Sequence, residues 1–364
     1  MFFNFDAMKY MYTRSSFFFL LFISVLSFCK AQKKPKESTS NFVSLVQNDT
    51  LNKLDVFIDG VYFTSYLYAD SILRKPVLFP IHAANGERIT RGFPINPQPE
   101  ERIDHPHHYG LWFNHGDVNG VDYWNSAVIA KDADARYGRI NHIKFLKVSP
   151  GDIGTLVVEK EWRNDSNELI LNEKTQYTFS GTEHERIITH KTTLFAPEVE
   201  VFFKDSKEGL FALRVRRELE LPSDQPEILL NEALEPADQA IVAHEKVSGR
   251  YLNSNGVNSY PEVWGKRAKW MQLSGKIAND SISIMLFDHI SNLNHPPHWM
   301  ARDYGLFAVN SLGSNAYTEG KEQLNFKLKK GASVTFEHQV IISDGILPDL
   351  LEIEKKYTDF WSNH

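Results

Sequence analysis

Histidine and carboxylate side chains concentrate in one short segment of the chain, residues 104–117. The segment holds four of the fourteen histidines. Histidine transfers protons near neutral pH and is a common metal ligand, so a dense His/Asp cluster predicts a functional site. From this segment we take His107, His108, His115 and Asp117 as candidate catalytic residues, and His105 as a candidate substrate ligand.

A second segment, residues 295–307, repeats the pattern of the first. Both contain a His-Pro step and then Tyr-Gly-Leu followed by an aromatic residue. Its candidate catalytic residues are His298 and Asp303, and its candidate substrate ligands are His295, Arg302 and Tyr304. Proline disfavours regular ladder pairing and places side chains at strand ends. Since each segment alone offers few oriented groups, we expect the two to meet in one pocket.

Further candidates lie between and beside these segments. Glu208 is a candidate catalytic partner, and Arg214 and Arg216 are two apart, so they share one face of a strand. If that face lines a cavity, the guanidinium groups would bind anionic or polyhydroxyl groups; the alternative is a solvated, charged edge strand. The full set of further substrate-binding candidates is Trp112, Asp122, Lys207, Arg214, Arg216 and Trp264.

A bound metal ion is an open alternative. A His-X-His pair can chelate a metal, and the ligands would come from His105, His107, His115, His295 and His298. The other interpretation is that neutral histidines hydrogen-bond a ligand or one another. Nothing in the sequence requires a cofactor, and it has no Gly-rich phosphate loop, no Gly-X-Ser-X-Gly elbow and no His-Glu-X-X-His helix.

The elements that must position these residues are almost all β-strands. Alternating polar and apolar residues flank turn dipeptides such as Asp59-Gly60, and residues 139–195 have the pattern of a meander with one solvated face. After Pro348 the apolar residues follow a helical period. The sequence therefore predicts an all-β fold, a large antiparallel sandwich with a short C-terminal helix, as one domain over residues 51–364.

The N-terminus predicts export. Residues 1–31 have the pattern of a signal peptide, with basic residues before a short apolar run. Residues 32–50 are polar and predict a flexible tether. The single cysteine, Cys29, leaves a lipid anchor open, so we expect a periplasmic or extracellular protein. If the segment is removed, disulfides and thiolate catalysis are excluded.

Charge and hydropathy limit the partners. The formal net charge is −6, and an acidic chain is a poor nucleic-acid binder. No segment after the N-terminus is long and apolar enough to cross a bilayer. We therefore expect a carbohydrate or other small polar substrate, with the oligomeric state left open.

Three motifs carry a resemblance to a known family. Residues 104–124 (DHPHHYGLWFNHGDVNGVDYW), 204–209 (KDSKEG) and 299–310 (WMARDYGLFAVN) closely resemble a bacterial family labelled PmoA-like, after a methane oxygenase subunit. The likeness spans about residues 54–342. The family's usual Asn-Pro-Phe-Gly is here Asn310-Ser311-Leu312-Gly313. A membrane oxygenase subunit needs transmembrane helices, so the methane oxygenase label does not fit this chain.

The resemblance implies an exported protein of sugar-degrading bacteria with a galactose-mutarotase-like supersandwich. We therefore predict a carbohydrate-active enzyme that cleaves a glycosidic bond by hydrolysis or elimination, with His and Asp groups as acid and base. A mutarotase-type sugar epimerase and a non-catalytic glycan-binding protein are the alternatives. A reducing-end assay separates cleavage from epimerisation.

Overall fold

The computed structural model describes residues 42–68, 74–125, 136–242 and 244–362. All of them belong to one compact unit. The predicted signal peptide and Cys29 lie outside the described residues. The strands of the described part are β1 (Val43–Asn48), β2 (Lys53–Ile58), β3 (Val61–Leu67), β4 (Val77–Ile81), β5 (Leu111–His115), β6 (Arg139–Ser149), β7 (Gly154–Arg163), β8 (Leu169–Gly181), β9 (Glu185–Phe195), β10 (Val201–Phe203), β11 (Gly209–Arg214), β12 (Arg250–Asn253), β13 (Trp270–Ile277), β14 (Asp280–Asp288), β15 (His298–Ala301), β16 (Leu306–Asn310), β17 (Phe326–Leu328) and β18 (Ser333–Asp344).

Two eight-stranded antiparallel sheets form the sandwich. The first sheet has the order β1-β2-β3-β4-β5-β11-β16-β15, and the second has the order β12-β13-β14-β18-β9-β8-β7-β6. Strands β10 and β17 make a separate pair. Side chains of both inner faces interlock in one large core, for example Phe63 on Phe179 with ring centroids 6.3 Å apart. The predicted antiparallel sandwich is thus confirmed.

The predicted meander is strands β6 to β9, which pair in sequence order. Burial alternates along β8 and β9, since every second side chain faces the core. The predicted hairpin at Asp59-Gly60 joins β2 to β3, and both turn residues have positive φ, 52° and 77°. Asparagine, aspartate and glycine tolerate this conformation best, which explains the turn.

The first sheet is covered on both faces at its centre. Strands β5, β11 and β16 are buried at every position. Their inner side chains join the sandwich core, whereas Trp112, Ala212, Leu306 and Ala308 face outward into a second apolar cluster. Loops pack over that outer face, and this arrangement positions the candidate site.

The predicted C-terminal helix is α2 (Leu350–Ser362), and a single turn, α1 (Ser314–Tyr317), follows β16. Asp349 caps α2, because its carboxylate accepts a hydrogen bond of 2.9 Å from the backbone of Glu352. Ile353, Tyr357 and Phe360 bury the apolar face of α2 against the outer face of the second sheet. Short 3₁₀ turns lie at Asp49–Leu51 and Arg217–Leu219. Within the described ranges, no helix has the length and apolarity needed to cross a membrane.

The folded part begins earlier than predicted. Residues 43–48 were expected in the tether of residues 32–50, but they form β1, which pairs with β2 from Val43↔Ile58 to Asn48↔Lys53. Val43 is fully buried against the core, so the polar composition of this stretch reflects an edge strand with one solvated face.

Candidate functional site

The candidate site lies on the outer face of the first sheet, beside the ends of β5, β11 and β16. The loop before β5 carries Asp104, His105, His107 and His108 across this face. The turn between β15 and β16 brings Tyr304 against the same loop, with its ring 4.9 Å from that of His105. Part of each predicted segment therefore meets the other, as the sequence predicts.

Asp104 and His105 form a hydrogen-bonded pair. His105 Nδ1 lies 2.8 Å from Asp104 Oδ2, and the two side chains are 39% and 29% exposed. The other ring nitrogen of His105, Nε2, has no protein partner among the described residues. A histidine whose Nδ1 is held by a carboxylate presents Nε2 in a fixed orientation, which suits proton transfer to or from a ligand.

Two buried arginines fix Asp104. Its Oδ1 accepts hydrogen bonds from Arg91 Nη1 at 2.6 Å and from Arg214 Nη2 at 2.8 Å, and both arginines are fully buried. Burial alone would raise the pKa of Asp104, but Arg214, the hydrogen bond from His105 and Arg91 hold that pKa well below its usual range. Asp104 is therefore an ionised anchor for His105.

Arg91 also organises the backbone of the loop. Its guanidinium donates to the carbonyl oxygens of Asp104, His105 and His108, each at 2.9 Å. Neither Arg91 nor Asp104 was among the candidates from the sequence. Asp104 stands directly before His105, which is a signal that could have identified it, whereas Arg91 reaches the loop only through the fold.

Rings stack through the site in a continuous series. His105 lies between Tyr304 and His108, at 4.9 and 4.8 Å and almost parallel to both, and His108 stacks on Trp112 at 5.5 Å. Trp124 Nε1 donates to His108 Nε2 at 3.0 Å. Burial lowers the pKa of His108 far below its usual value, so this histidine is a neutral acceptor.

His107 is buried beside His108 and packs against it edge-on, with ring centroids 4.2 Å apart. Burial and the charge of Lys75 lower its pKa. Of the three histidines in this loop, His105 is the one with a substantially exposed side chain. The accessible histidine of this loop is thus His105, which the sequence analysis places among the substrate ligands.

Lys75 is a buried cation that is not among the candidates from the sequence. Its Nζ donates to the carbonyl of His107 at 2.8 Å and lies 4.6 Å from the ring of Tyr109 and 5.1 Å from that of Trp112. Burial lowers the pKa of Lys75 to about 7. The aromatic faces and the carbonyl partly replace its hydration.

A carboxyl pair lies next to the stack. Asn125 Nδ2 donates to Asp122 Oδ2 at 2.8 Å and to Glu208 Oε2 at 3.2 Å. Burial raises the pKa of both carboxyl groups, and the charge of Asp122 raises that of Glu208 further. The charge of His105 acts in the opposite direction on the pKa of Glu208. A raised pKa is the direction expected of a carboxyl group that acts as a general acid.

Asp122 has another function within this pair. Its Oδ1 accepts hydrogen bonds from the backbone of Trp124 at 2.8 Å and of Asn125 at 2.9 Å. With both oxygens engaged, Asp122 orients Asn125 and, through it, Glu208. Lys207, the neighbour of Glu208, is exposed, and its charge lowers the pKa of Glu208.

Arg302 and Trp264 stand at the far side of Tyr304. The Arg302 guanidinium lies 4.9 Å from the Trp264 ring, and Nη1 is 3.4 Å from the Tyr260 hydroxyl. Asp303, a candidate catalytic residue from the sequence, accepts the backbone N–H of Tyr304 at 3.0 Å and shapes the turn.

His298 lies on the same outer face but faces other partners. Its Nδ1 is 2.8 Å from the carbonyl of Gly265, and its ring stacks on Tyr317 at 5.1 Å. The Tyr317 hydroxyl donates to the carbonyl of Lys207 at 2.6 Å, which ties this region to the Glu208 loop. His298 is 3% exposed, so its role is to support the packing of the site through these contacts.

Four candidates lie apart from this site, which corrects the expected single pocket. His115 points inward along β5, is fully buried and contacts the carbonyl of Lys204 at 2.8 Å. Asp117 caps a turn by accepting the N–H of Gly120 at 2.9 Å.

The other two displaced candidates are His295 and Arg216. His295 Nδ1 lies 2.7 Å from Asp288 Oδ2, near α2. Arg216 leaves the strand after Arg214 and pairs with Glu218 and with Glu87, so the two arginines do not share partners.

The five proposed metal ligands are accordingly dispersed. His105 and His107 are neighbours, whereas His115 and His295 are held elsewhere by their own partners. In the described part of the chain, no group of three or more His, Cys, Asp or Glu side chains converges as a metal site would require.

Comparisons with known proteins give a family and several similar structures. Residues 53–358 match the model of a family described as a family of unknown function (DUF6807). A comparison with curated proteins finds no match. The PmoA-like resemblance is not shown by these comparisons and stays a prediction.

Three solved structures illustrate the similarity. A GH36 alpha-galactosidase, AgaA from Geobacillus stearothermophilus in complex with stachyose, has a TM-score of 0.36 and 9% identity, with 83% of this chain and 40% of that chain covered. A galactose mutarotase related enzyme from Lactobacillus acidophilus has a TM-score of 0.30 and 8% identity, with coverage of 84% and 98%. A galactose mutarotase-like protein from Clostridium acetobutylicum has a TM-score of 0.31 and 11% identity, with 83% of this chain and 98% of that chain covered. The chain spans about two fifths of the length of the alpha-galactosidase.

Proposed function

The chain belongs to DUF6807, a family of unknown function, and we propose that it is a carbohydrate-active enzyme that cleaves a glycosidic bond with His105 as base and Glu208 as acid. One observation carries the proposal. A histidine oriented by Asp104, with Nε2 free of protein partners in the described residues, is connected to the Glu208 carboxyl group by a short series of contacts. His105 stacks on His108, Trp124 donates to His108, and Asn125, the next residue, donates to Glu208, whose pKa burial raises. A base and an acid with separated proton affinities are what such cleavage needs.

The surroundings of this pair favour a sugar as the substrate. Tyr304 and Trp264 are half-buried rings, and the Arg302 guanidinium lies 4.9 Å from the Trp264 ring. Sugar rings have apolar C–H faces and hydroxyl rims, so a site that combines aromatic faces with a few oriented polar groups is complementary to them.

The pair can act in two ways. In hydrolysis, His105 Nε2 takes a proton from the attacking water while Glu208 protonates the glycosidic oxygen that leaves. In elimination, His105 takes a proton from carbon and Glu208 again protonates the leaving oxygen. Asp122 is held by three N–H donors, so it is poorly placed as a nucleophile, and this favours a mechanism without a covalent sugar intermediate.

A mutarotase-type epimerase is the second candidate, because the same observation favours it. Exchange at the anomeric carbon needs one base and one acid and no nucleophilic carboxylate. It differs from cleavage in its products, since no new reducing end forms. Export to the periplasm or beyond, with or without an anchor at Cys29, is a further part of the proposal.

The test is reducing-end release from a panel of neutral and acidic oligosaccharides, run in parallel with polarimetry of free sugars. We expect release by the wild-type protein, and loss of release in His105→Ala and Glu208→Gln. A polarimetric change without release would favour the epimerase. Glycan binding that survives both substitutions, without turnover of any substrate, would overturn the enzyme proposal in favour of a binding protein.

A further inference from the structure

Arg302 is a cation of the site with no carboxylate partner in the described residues. Its Nη1 makes one long contact, 3.4 Å, with the Tyr260 hydroxyl, and its Nε is buried without a hydrogen-bond partner there. Its guanidinium lies over the ring of Trp264 at 4.9 Å. A guanidinium has five N–H donors in a planar fork that matches a carboxylate. Arg302 therefore has an unused capacity to bind an anion.

The other arginines near the site are already neutralised. Arg91 and Arg214 share Asp104, and Arg214 stacks over the Tyr304 ring at 4.8 Å. Arg102 and Arg217 pair with Glu220 and Glu227 on the neighbouring turn. Arg302 differs from all of them.

Contacts nevertheless connect Arg302 to the region of the reacting pair. Its guanidinium lies over Trp264, Trp264 meets Tyr317 edge-on at 5.4 Å, and the Tyr317 hydroxyl donates to the carbonyl of Lys207, the neighbour of Glu208. Arg302 is two residues from Tyr304, whose ring stacks on His105. Its charge lowers the pKa of Tyr304 and of Tyr317, and the charge of Glu208 also reaches Tyr317. Arg302 is thus close to Tyr304, which stacks on His105, and to Tyr317, which contacts the loop of Glu208.

The charge balance of the site points the same way. Arg91 and Arg214 share Asp104, and Glu220 lies 3.8 Å from Arg214. Arg302 has no carboxylate within ion-pair distance among the described residues, so its charge is the unopposed one. This unopposed cation occurs in a chain with a formal net charge of −6. A local positive charge in an acidic protein attracts anionic substrates selectively.

We propose that the substrate is a uronic-acid-containing glycan and that Arg302 binds the uronate carboxylate. This inference rests on the proposed function and specifies its substrate class and reaction. Neutralisation of the carboxylate by Arg302 acidifies the hydrogen on the carbon that bears it. A base is then able to remove that proton, which makes elimination the favoured form of cleavage.

The bonds balance without a co-reactant. His105 Nε2 takes the proton from C5 of the uronate, and the electron pair of that C–H bond forms the C4–C5 double bond. The C4–O bond breaks, and the leaving oxygen takes the proton of the Glu208 carboxyl. The products are an unsaturated uronate and a glycan with a new hydroxyl end, and no water is consumed.

The experiment compares oligouronides with the same oligouronides after methyl esterification, together with neutral and sulfated neutral oligosaccharides. We expect cleavage of the free acids, with the ultraviolet absorbance of an unsaturated uronate. We expect Arg302→Gln to raise KM for the acids about 10- to 100-fold, as for loss of a charged hydrogen bond, and Arg302→Lys to recover part of the loss. Arg216→Gln, a matched change at an arginine outside the site, should stay within about two-fold of wild type.

The outcomes separate this inference from the proposed function. Cleavage confined to neutral, esterified or sulfated glycans would overturn the uronate inference and leave the proposed function standing. If no glycan is cleaved, calorimetry of His105→Ala with oligouronides still tests the carboxylate site, and equal binding of acid and ester would overturn it. Circular dichroism and thermal melting of each variant distinguish a lost contact from a lost fold.

Discussion

Of the Asp–His pairs in the described residues, two have almost the same bond length and opposite surroundings. Asp104 and His105 are joined at 2.8 Å on the outer face of the first sheet, and Asp288 and His295 at 2.7 Å near α2. The first pair is 29% and 39% exposed, whereas Asp288 is fully buried and His295 is 15% exposed. The two bonds alone do not distinguish them.

The difference lies in what surrounds each pair. Nε2 of His295 is 3.5 Å from the Tyr357 hydroxyl, and Asp288 also has His338 Nε2 at 3.2 Å and Asn292 Nδ2 at 2.7 Å. Both nitrogens of His295 and both oxygens of Asp288 thus have neighbours inside the protein, and these contacts link β14, β18 and α2. The outer pair has arginines behind the carboxylate and an open imidazole in front. An Asp–His pair is thus a candidate for catalysis only where the far nitrogen is open to a ligand.

The largest expected effect separates the two histidines by function. His105→Ala should reduce kcat about 100- to 10,000-fold, the range for loss of general acid–base catalysis, with little change in thermal stability because the side chain is 39% exposed. His295→Ala should do the reverse, keeping kcat within about two-fold and reducing the free energy of unfolding by about 1–3 kcal/mol. Turnover assays and thermal melts of both variants check this. Equal loss of kcat in both would break the comparison.

The next effect concerns the carboxylates. Asp288→Ala leaves His295 and the fully buried His338 without their shared acceptor, and we expect it to reduce the free energy of unfolding by about 3–5 kcal/mol. Burial would raise the pKa of Asp288, but the hydrogen bond from His295 and the adjacent His338 lower it overall. Its stabilisation is therefore present above the unfolded-state pKa and is lost as the pH falls through the lowered value. Denaturant unfolding of wild type and variant across acidic pH should show that dependence in wild type alone.

The comparison also shows what the sequence could predict. The strands, the hairpin at Asp59-Gly60 and the helix after Pro348 follow from local periodicity and turn chemistry, which act within a few residues. The meeting of the loop before β5 with Tyr304 was likewise expected. Local pattern could not tell that His115 faces inward, because the strand register that decides it is set by the whole sheet.

The anchoring of the site was beyond the sequence for the same physical reason. Arg91 and Arg214 are far apart in the chain, and only the first sheet brings both to Asp104. Similarly, His295 and His298 are three residues apart, yet one contacts Asp288 and the other Tyr317. Which histidine is exposed depends on packing, and so His105 was underestimated relative to His107.

A smaller effect tests the ring that stacks on His105. Tyr304→Ala removes the ring that stacks on His105 at 4.9 Å and on the Arg214 guanidinium at 4.8 Å. Such contacts contribute about 0.5–1.5 kcal/mol, so we expect KM to rise about three- to ten-fold. Tyr304→Phe keeps the ring and should retain most of the activity. A larger loss in Tyr304→Phe than in Tyr304→Ala would show that the hydroxyl, not the stack, matters.

The smallest effect is a displacement of the pH–rate profile. If Glu208 is the acid, activity falls as the pH rises through its pKa, since the proton to be donated is then lost. Burial raises that pKa and the charge of Asp122 raises it further, so Asp122→Asn should move the alkaline limb of kcat/KM to lower pH. Asp288→Asn changes the carboxylate of the Asp288–His295 pair and should leave the alkaline limb of kcat/KM at the same pH. If the Asp122→Asn variant folds and turns over substrate but its alkaline limb does not move, Glu208 is not the acid. The role of His105 and its pairing with Asp104 would be unaffected by that result.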